Sequence, residues 1–386
     1  MSTVVTAKRL WSGGAWISDP LLVIEGGEIR SIATRGEAAI PVDAQVIDFG
    51  AATLAPAFFD VHIHGAAGHD VMEATPAALD AVGAFLATRG TGSYLATTVT
   101  AALDATLRAV EALAKRVREG AKPGQATPIG IHLEGPFLSH VKRGVQPEEH
   151  LRAPDIGVFD KLFDAAEGTV RLMTMAPELP GAVELTAHAT ARGVRVSVGH
   201  SNATAAETHA AIDAGAASAT HTFNAMRPLD HREPGILGTV LTTDELYAEL
   251  ICDGIHTAPE MVKLWRRCKG AARGILVTDA MSAAGMPDGE YILGGFPVQV
   301  ADGRAMARGV LAGSVLTLDR ALENFVSFTG APLEESLPLL TANPAAMTGF
   351  GAQAGALAAG VPASLVAVDD EGKLTGAVVN GVAVTR

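Results

Sequence analysis

Residues 56–65 are PAFFDVHIHG, and this stretch decides the fold. It is a strand-like run, apolar except for Asp60 and the two histidines near its end. His62 and His64 stand two residues apart at the end of the run, so their side chains point to the same side of the strand. We therefore expect a buried parallel strand that presents two imidazoles at its carboxyl end.

Seven further strand-like runs follow along the chain. They are SYLATTVT (93–100), PIGIHLEG (128–135), VRLMTMAPE (170–178), VRVSVGHS (194–201), ASATHTFN (217–224), AELICDGIH (248–256) and GILVTDA (274–280). Ala-rich helical stretches such as residues 77–90 and 105–117 lie between them. Eight alternating β/α units predict a closed parallel sheet, an α/β fold of the (β/α)8 TIM-barrel type. We assign this catalytic barrel to residues 56–349.

The two ends of the chain differ from the middle. Residues 1–55 contain short alternating strands with Gly26-Gly27 as a hairpin turn, and residues 364–384, SLVAVDDEGKLTGAVVNGVAV, show the same alternation. We expect residues 1–55 and 350–386 to pair into one small β-sandwich domain.

Charge and composition exclude several classes of partner and location. The 386 residues carry a formal net charge of -13, with no Lys/Arg-rich stripe to offset it, so nucleic acid is not expected as a partner. No run of about 18 apolar residues and no signal-peptide pattern is present, so we expect a cytoplasmic protein without membrane association. Cys252 and Cys268 are too few for a disulfide framework, and we expect both thiols to be reduced.

Polar residues cluster at the carboxyl ends of the predicted strands, the face where barrels of this type carry their active sites. They are His62, His64, Glu134, His200, His221 and Asp279. A lone histidine is more often a hydrogen-bonded structural residue, but six such groups at equivalent strand ends favour a site for a divalent metal, with zinc suited to these N and O ligands. His132 also points inward, one layer deeper, which favours a supporting role.

Several motifs together resemble the N-acetylglucosamine-6-phosphate deacetylases of the amidohydrolase superfamily. The motifs are PAFFDVHIHG, IHLEGPFLS, VSVGHSNA, THTFNAM, HREPGILG, DGIHT, LVTDAMSAAG and GVLAGS, in the family's order and over nearly the whole chain. HLEGPF together with THTFNAM is specific, whereas an HxH pair alone indicates only the superfamily.

The resemblance implies roles for these residues. Glu134, His200 and His221 would hold the divalent metal, expected to be Zn²⁺, that activates water, and Asp279 would be the general acid and base. His62 and His64 match the superfamily's HxH pair, which some deacetylases of this family lack, so one or two ions are implied.

The resemblance also implies contacts with a phosphorylated N-acetyl amino sugar. Substrate-binding positions are Val145, Gln146, Asn224, Ala225, Arg232, His256 and Leu311-Ala312-Gly313. In family dimers the arginine equivalent to Arg232 reaches the neighbouring subunit's site, which implies a homodimer. Without the resemblance, the alternatives are a surface residue for Arg232, a turn former for Asn224, a helix-start residue for His256 and a tight turn for Leu311-Ala312-Gly313.

The chain departs from the family at one position. A Lys-Gly-x-His stretch usually follows LEGPFLS, and its histidine helps to polarise the amide. Gln146 stands where that histidine belongs, with His140 and His150 nearby. Either Gln146 donates a hydrogen bond to the substrate, or it is a solvated residue of a mobile loop.

We therefore expect hydrolysis of the acetamide of N-acetyl-D-glucosamine 6-phosphate to D-glucosamine 6-phosphate and acetate, in amino-sugar catabolism. A deacetylase of another hexosamine 6-phosphate, such as N-acetylgalactosamine 6-phosphate, or another amidohydrolase is the alternative within enzymes. An inactive sugar-phosphate-binding relative is the alternative outside them, but it requires a missing ligand or acid/base, and none is missing.

Overall fold

The computed structural model describes residues 2–385, and its centre is a parallel sheet of eight strands. Each strand pairs with the next in chain order: Phe58–Ile63 (β1), Thr91–Thr98 (β2), Thr127–Glu134 (β3), Val170–Met175 (β4), Arg195–Val198 (β5), Ala216–Ala219 (β6), Tyr247–Ile251 (β7) and Gly274–Val277 (β8). The sheet closes where the Asp279 N–H donates to the His62 carbonyl at 2.9 Å and where Ile63 bridges Ala280. The predicted barrel is confirmed.

A ring of helices surrounds the strands. The helices are Pro76–Thr88 (α1), Leu103–Glu119 (α2), Ile156–Ala165 (α3), Ala182–Ala191 (α4), Ala205–Asp213 (α5), Gly235–Thr242 (α6), Pro259–Arg273 (α7) and Leu318–Thr329 (α8). β1 and β8 are buried along their whole length, because a barrel strand packs against side chains inside and helices outside. The apolar composition that predicted these strands therefore reflects burial on both faces.

The polar ends of the predicted strand runs lie in the loops that follow. His200 comes two residues after β5 and His221 two residues after β6. Their φ angles of 46° and 25° lie outside the β region, so each chain turns as it leaves its strand. These turns direct the side chains over the carboxyl end of the barrel.

Both chain ends form a two-sheet domain, as predicted. One sheet has the order Glu28–Thr34, Pro20–Glu25, Thr3–Thr6, Gln45–Asp48, and the other has the order Val382–Val384, Leu374–Val379, Leu365–Val368, Thr53–Pro56, Arg9–Ser12, Ala15–Ser18. Apolar side chains of both sheets, including Val5, Leu22, Leu54 and Leu365, form one buried cluster. This packing makes the domain a β-sandwich.

A third sheet, absent from our prediction, is inserted between β8 and α8. Its antiparallel strands are Gly289–Leu293, Phe296–Ala301, Arg304–Ala307 and Val310–Leu311. Two-residue turns with positive φ, Gly294-Gly295 and Asp302-Gly303, join the first three strands. The sheet packs its alternate apolar side chains beside Val99 and Val145, next to the mouth of the barrel.

Short elements complete the described chain. They are the strands Gly65–Ala66 and His69–Asp70, the 3-10 helices Val71–Glu73, His140–Lys142, Glu148–His150 and Leu337–Leu340, and the helices Leu333–Ser336, Ala342–Thr348 and Ala352–Gly355. None of the helices within residues 2–385 has the length and apolar character needed to cross a membrane.

Candidate active site and metal centre

The six strand-end residues come together in two groups at the carboxyl end of the barrel. The candidate ligand atoms of His62, His64 and Asp279 lie within 4.8 Å of one another, and those of Glu134, His200 and His221 do so as well. All six side chains are buried. Residues from strands β1, β3, β5, β6 and β8 thus converge as the sequence predicts.

Glu134 joins the two groups. Its Oε1 lies 3.3 Å from His62 Nε2, 3.2 Å from His200 Nε2 and 3.3 Å from His221 Nε2. Its Oε2 lies 3.4 Å from His64 Nε2. One carboxylate therefore faces all four imidazoles.

Hydrogen bonds fix the orientation of the rings. His64 Nδ1 lies 3.1 Å from the Thr97 carbonyl, and His200 Nδ1 lies 3.0 Å from the Lys142 carbonyl. Because a carbonyl only accepts, Nδ1 carries the hydrogen in both rings and Nε2 faces the centre. His62 Nδ1 instead meets a carboxylate, Glu249 Oε2, at 3.2 Å.

The cluster fits a divalent ion. His62 Nε2 is buried and makes no well-aligned hydrogen bond within the described chain, although the carboxylates of Glu134 and Asp279 lie 3.3 and 3.5 Å away. A buried polar atom without a partner is costly, and a shared cation would satisfy it. Four imidazoles and two carboxylates form a donor set typical of zinc and similar first-row ions.

The charges of the cluster shift its pKa values. Burial lowers the pKa of His64, but hydrogen bonds to Asp279 and Glu134 outweigh burial and raise that pKa to about 9. Burial raises the pKa of Asp279, but the charges of His62 and His64 outweigh it and lower that pKa to about 2. Without an ion, protons on the histidines compensate the carboxylates, in the places where a cation would do so.

Strained backbone holds several of these residues in place. Asp279, like His200 and His221, has a positive φ, here 50°, which is uncommon for a residue other than glycine. The Ser314 N–H donates to the Asp279 carbonyl at 2.7 Å and helps to hold this turn. A Cβ at Gly313 would lie 3.0 Å from the same carbonyl, so this close approach favours glycine.

A cavity of about 280 Å³ opens above the cluster. Its polar lining comprises His64, Glu134, Gln146, His200, His221, Asn224, His256 and Asp279, and its other lining residues include Val99, Val145, Ala225, Leu293, Val310, Leu311 and Gly313. The volume is near the lower end of the range of about 300–1,000 Å³ typical of small-molecule sites. His62 lies beneath the cavity, at 0% exposure.

Two predicted contact residues lie elsewhere. Arg232 is exposed in the loop before α6, outside the cavity lining. Ala312 is fully buried in the apolar cluster under the inserted sheet, so its side chain faces away from the cavity.

Gln146 is buried rather than solvated. It is 3% exposed, and its Nε2 donates to Glu134 Oε2 at 2.7 Å while its Oε1 accepts from the Thr100 N–H at 2.9 Å. The reading of Gln146 as a solvated loop residue is wrong, because both ends of its amide have partners. His140 and His150 are at least partly exposed and do not line the cavity.

His256 has a firm partner in Asp253. His256 Nδ1 lies 2.6 Å from Asp253 Oδ2, and Asp253 Oδ1 accepts from the N–H groups of Ile255 and His256. Burial raises the pKa of Asp253, but the hydrogen bond and charge of His256 outweigh it, so the net shift is downward. Because His256 Nδ1 is hydrogen-bonded to Asp253, Nε2 is the ring nitrogen available to a ligand.

Sequence reasoning missed Glu249 and Asp253. Glu249 lies in β7 at 0% exposure, in the otherwise apolar run AELIC. A charged residue inside a buried strand is a signal in itself, because it is almost never found there unpaired. Asp253 lies in the DGIHT motif, three residues before His256.

Comparison with known proteins agrees with this geometry. Residues 53–384 match the family model described as the amidohydrolase family. The chain is 40% identical to N-acetylgalactosamine-6-phosphate deacetylase of Escherichia coli O157:H7, over 96% of each chain. It is also 40% identical to N-acetylglucosamine-6-phosphate deacetylase of Lysinibacillus sphaericus, over 82% of this chain and 81% of the relative.

A solved structure shares the whole architecture. A variant of N-acetyl-D-glucosamine-6-phosphate deacetylase from Mycobacterium smegmatis, in complex with N-acetyl-D-glucosamine-6-phosphate, superposes with a TM-score of 0.92 at 36% identity, and the match covers 100% of both chains. Fold, metal-ligand groups and relatives agree, and the chain belongs to the amidohydrolase family, among the N-acetylhexosamine-6-phosphate deacetylases.

Proposed function

We propose that this enzyme hydrolyses the acetamide of N-acetyl-D-glucosamine 6-phosphate to D-glucosamine 6-phosphate and acetate. The observation that carries the proposal is the pair of ligand groups at the floor of one cavity, with Asp279 on the cavity wall. Relatives with this activity cover most of the chain. Because the substrate is a charged sugar phosphate that does not cross membranes freely, we place the reaction in the cytoplasm.

We assign the metal ligands to the two groups. Glu134, His200 and His221 would hold one divalent ion, with Zn²⁺ proposed, and His62 and His64 would contribute to a second. Asp279 Oδ1 lies 3.1 Å from His64 Nε2 and 3.5 Å from His62 Nε2, so this oxygen can join the second group. The chemistry supplied by a bound divalent ion is activation of water near neutral pH and polarisation of the amide carbonyl.

Asp279 is assigned the proton transfers. Asp279 lines the cavity beside both groups of candidate ligands, and a carboxylate at this position can accept a proton. In our account Asp279 accepts a proton from the attacking water and later gives it to the departing nitrogen. This exchange releases acetate and leaves the amino group on the sugar.

The cavity rim orients the sugar phosphate. His256, Asn224 and the backbone at Ala225 present polar groups there. A wall is supplied by Leu311 at the end of the inserted sheet and by Gly313 just after it. Val145 adds an apolar contact beside Gln146. Phosphate binding at the rim would use remote binding energy to place the acetamide over the metal ligands.

We assign Arg232 to binding the substrate phosphate in the site of a neighbouring subunit. Its exposed position outside this chain's cavity suits a residue that reaches a partner, and a guanidinium binds phosphate through paired hydrogen bonds. We therefore propose a homodimer in which each Arg232 completes the other subunit's site.

A second substrate has support from one observation. The relative from Escherichia coli O157:H7, a galactosamine-type deacetylase, is as identical to the chain as the glucosamine-type relative and matches more of it. We keep N-acetylgalactosamine 6-phosphate as the alternative substrate.

Acetate release with the two epimeric hexosamine 6-phosphates tests the proposal. A higher kcat/KM with the glucosamine epimer supports the main assignment, and a higher value with the galactosamine epimer supports the alternative. Activity on neither epimer would contradict both. Unphosphorylated N-acetylglucosamine is the control and should be a poor substrate.

A further inference from the structure

We propose that Glu249 is a positioning residue of the metal centre. It orients the imidazole of His62 and fixes the tautomer in which His62 can bind the metal. The inference rests on the proposed function only in requiring that the cluster binds a divalent ion. Neither the family motifs nor the ligand groups described above include Glu249.

The geometry places Glu249 between the two groups. Its Oε2 lies 3.2 Å from His62 Nδ1 and accepts from the His221 N–H at 3.3 Å. An ionised carboxylate only accepts, so the His62 hydrogen lies on Nδ1. When a metal ion replaces the proton on Nε2, the His62 Nε2 lone pair faces the space beside Glu134 and Asp279, where that ion would lie.

The partner of His62 differs from those of the other rings. Backbone carbonyls orient His64 and His200, whereas His62 alone among the four has a carboxylate at Nδ1. A carboxylate behind a ligating imidazole fixes its tautomer and raises its basicity. The metal affinity of the His62 group should therefore depend on the side chain at position 249.

Stability alone does not explain a carboxylate at this position. Glu249 is 0% exposed, and its Oε1 has no hydrogen-bond partner among the residues that the structure describes. A buried carboxylate with one unpaired oxygen is costly, and a glutamine would fill the same space without a charge. An effect of the carboxylate on His62 accounts for a charged residue at this buried position.

Zinc binding to the substrate-free protein tests the inference. The protein is stripped with a chelator, and Zn²⁺ binding is followed by calorimetry for the unmutated chain, Glu249→Gln, His62→Ala and the double variant. Glu249→Gln should lower the zinc affinity by about 10- to 100-fold. The loss should fall on the same zinc site that His62→Ala disrupts. The double variant should bind no more weakly than His62→Ala, because Glu249 acts through His62.

Two controls keep the test decisive. Glu245→Gln changes an exposed carboxylate near the same strand and should leave zinc binding unchanged. Glu249→Asp keeps the charge but moves it away from the His62 ring, so it should also weaken zinc binding. If circular dichroism shows that Glu249→Gln does not fold, Glu249→Asp takes its place in the test.

The inference is overturned if folded Glu249→Gln, or Glu249→Asp in its place, binds zinc like Glu245→Gln. It is also overturned if the losses from Glu249→Gln and His62→Ala add in the double variant. Because zinc binding is measured without substrate, a failure of the deacetylation proposal would leave this result intact. Conversely, an active deacetylase with unchanged zinc binding in Glu249→Gln would refute only this inference.

Discussion

Replacing Gln146 by alanine should weaken the metal centre although Gln146 is not one of its ligands. The side chain donates to Glu134 Oε2 at 2.7 Å, and Glu134 faces all four imidazoles. The substitution removes that donor and also leaves the buried Thr100 N–H without its acceptor. Glu134 would then be free to turn away from the histidines.

The expected magnitude follows from these contacts. A hydrogen bond to a charged group contributes about 1.5–3 kcal/mol, and a tenfold change in affinity corresponds to about 1.4 kcal/mol. Loss of the Gln146 donor should therefore weaken metal binding or kcat/KM by roughly 10- to 100-fold, which agrees with the usual effect of removing a residue that supports a ligand. The unpaired Thr100 N–H should cost a further 1–3 kcal/mol or so in the free energy of unfolding.

The assay combines zinc affinity, kcat/KM for acetate release and urea unfolding. Gln146→His should remain active, because an imidazole can also donate to Glu134 or to the substrate. Gln45→Ala, at an exposed glutamine of the β-sandwich, is the matched control and should change none of the three quantities. If Gln146→Ala keeps kcat/KM and zinc affinity within about twofold of the unmutated enzyme, the coupling through Glu134 is refuted.

Three further substitutions test separate parts of the site. Asp279→Asn should lower kcat by about 100- to 10,000-fold while zinc stays bound at the Glu134 group, and turnover within about threefold of the unmutated enzyme would contradict the proton-transfer role. Arg232→Ala should cost on the order of 2–5 kcal/mol in transition-state binding for the phosphorylated sugar, and equal efficiency on phosphorylated and unphosphorylated sugar before mutation would rule out the phosphate contact. Asp253→Asn should raise KM about tenfold with little change in kcat, because His256 loses its charged partner, and an unchanged KM would show that His256 needs no such partner.

The barrel and the candidate metal ligands were predictable because their signals are local. β1 and β8 are largely apolar because they are buried on both faces, and the two-residue period of a strand places His62 and His64 on one side. The strand order then follows from the β/α alternation, and it brings Glu134 and Asp279 to the same end.

The roles of other residues depend on tertiary contacts. Glu249 and Gln146 acquire their roles only from the atoms that they meet across the barrel. The inserted sheet was not predicted, although Gly294-Gly295 and Asp302-Gly303 are ordinary hairpin turns. The position of Arg232 outside its own cavity follows from the path of the loop before α6.

The most direct test of the account is acetate release from N-acetyl-D-glucosamine 6-phosphate by the purified enzyme before and after removal of its metal. The account predicts turnover by the metal-loaded enzyme, loss of turnover on chelation, and recovery when Zn²⁺ is restored. Undiminished turnover by protein shown to be metal-free, or no acetate release from either epimer by metal-loaded protein, would contradict it.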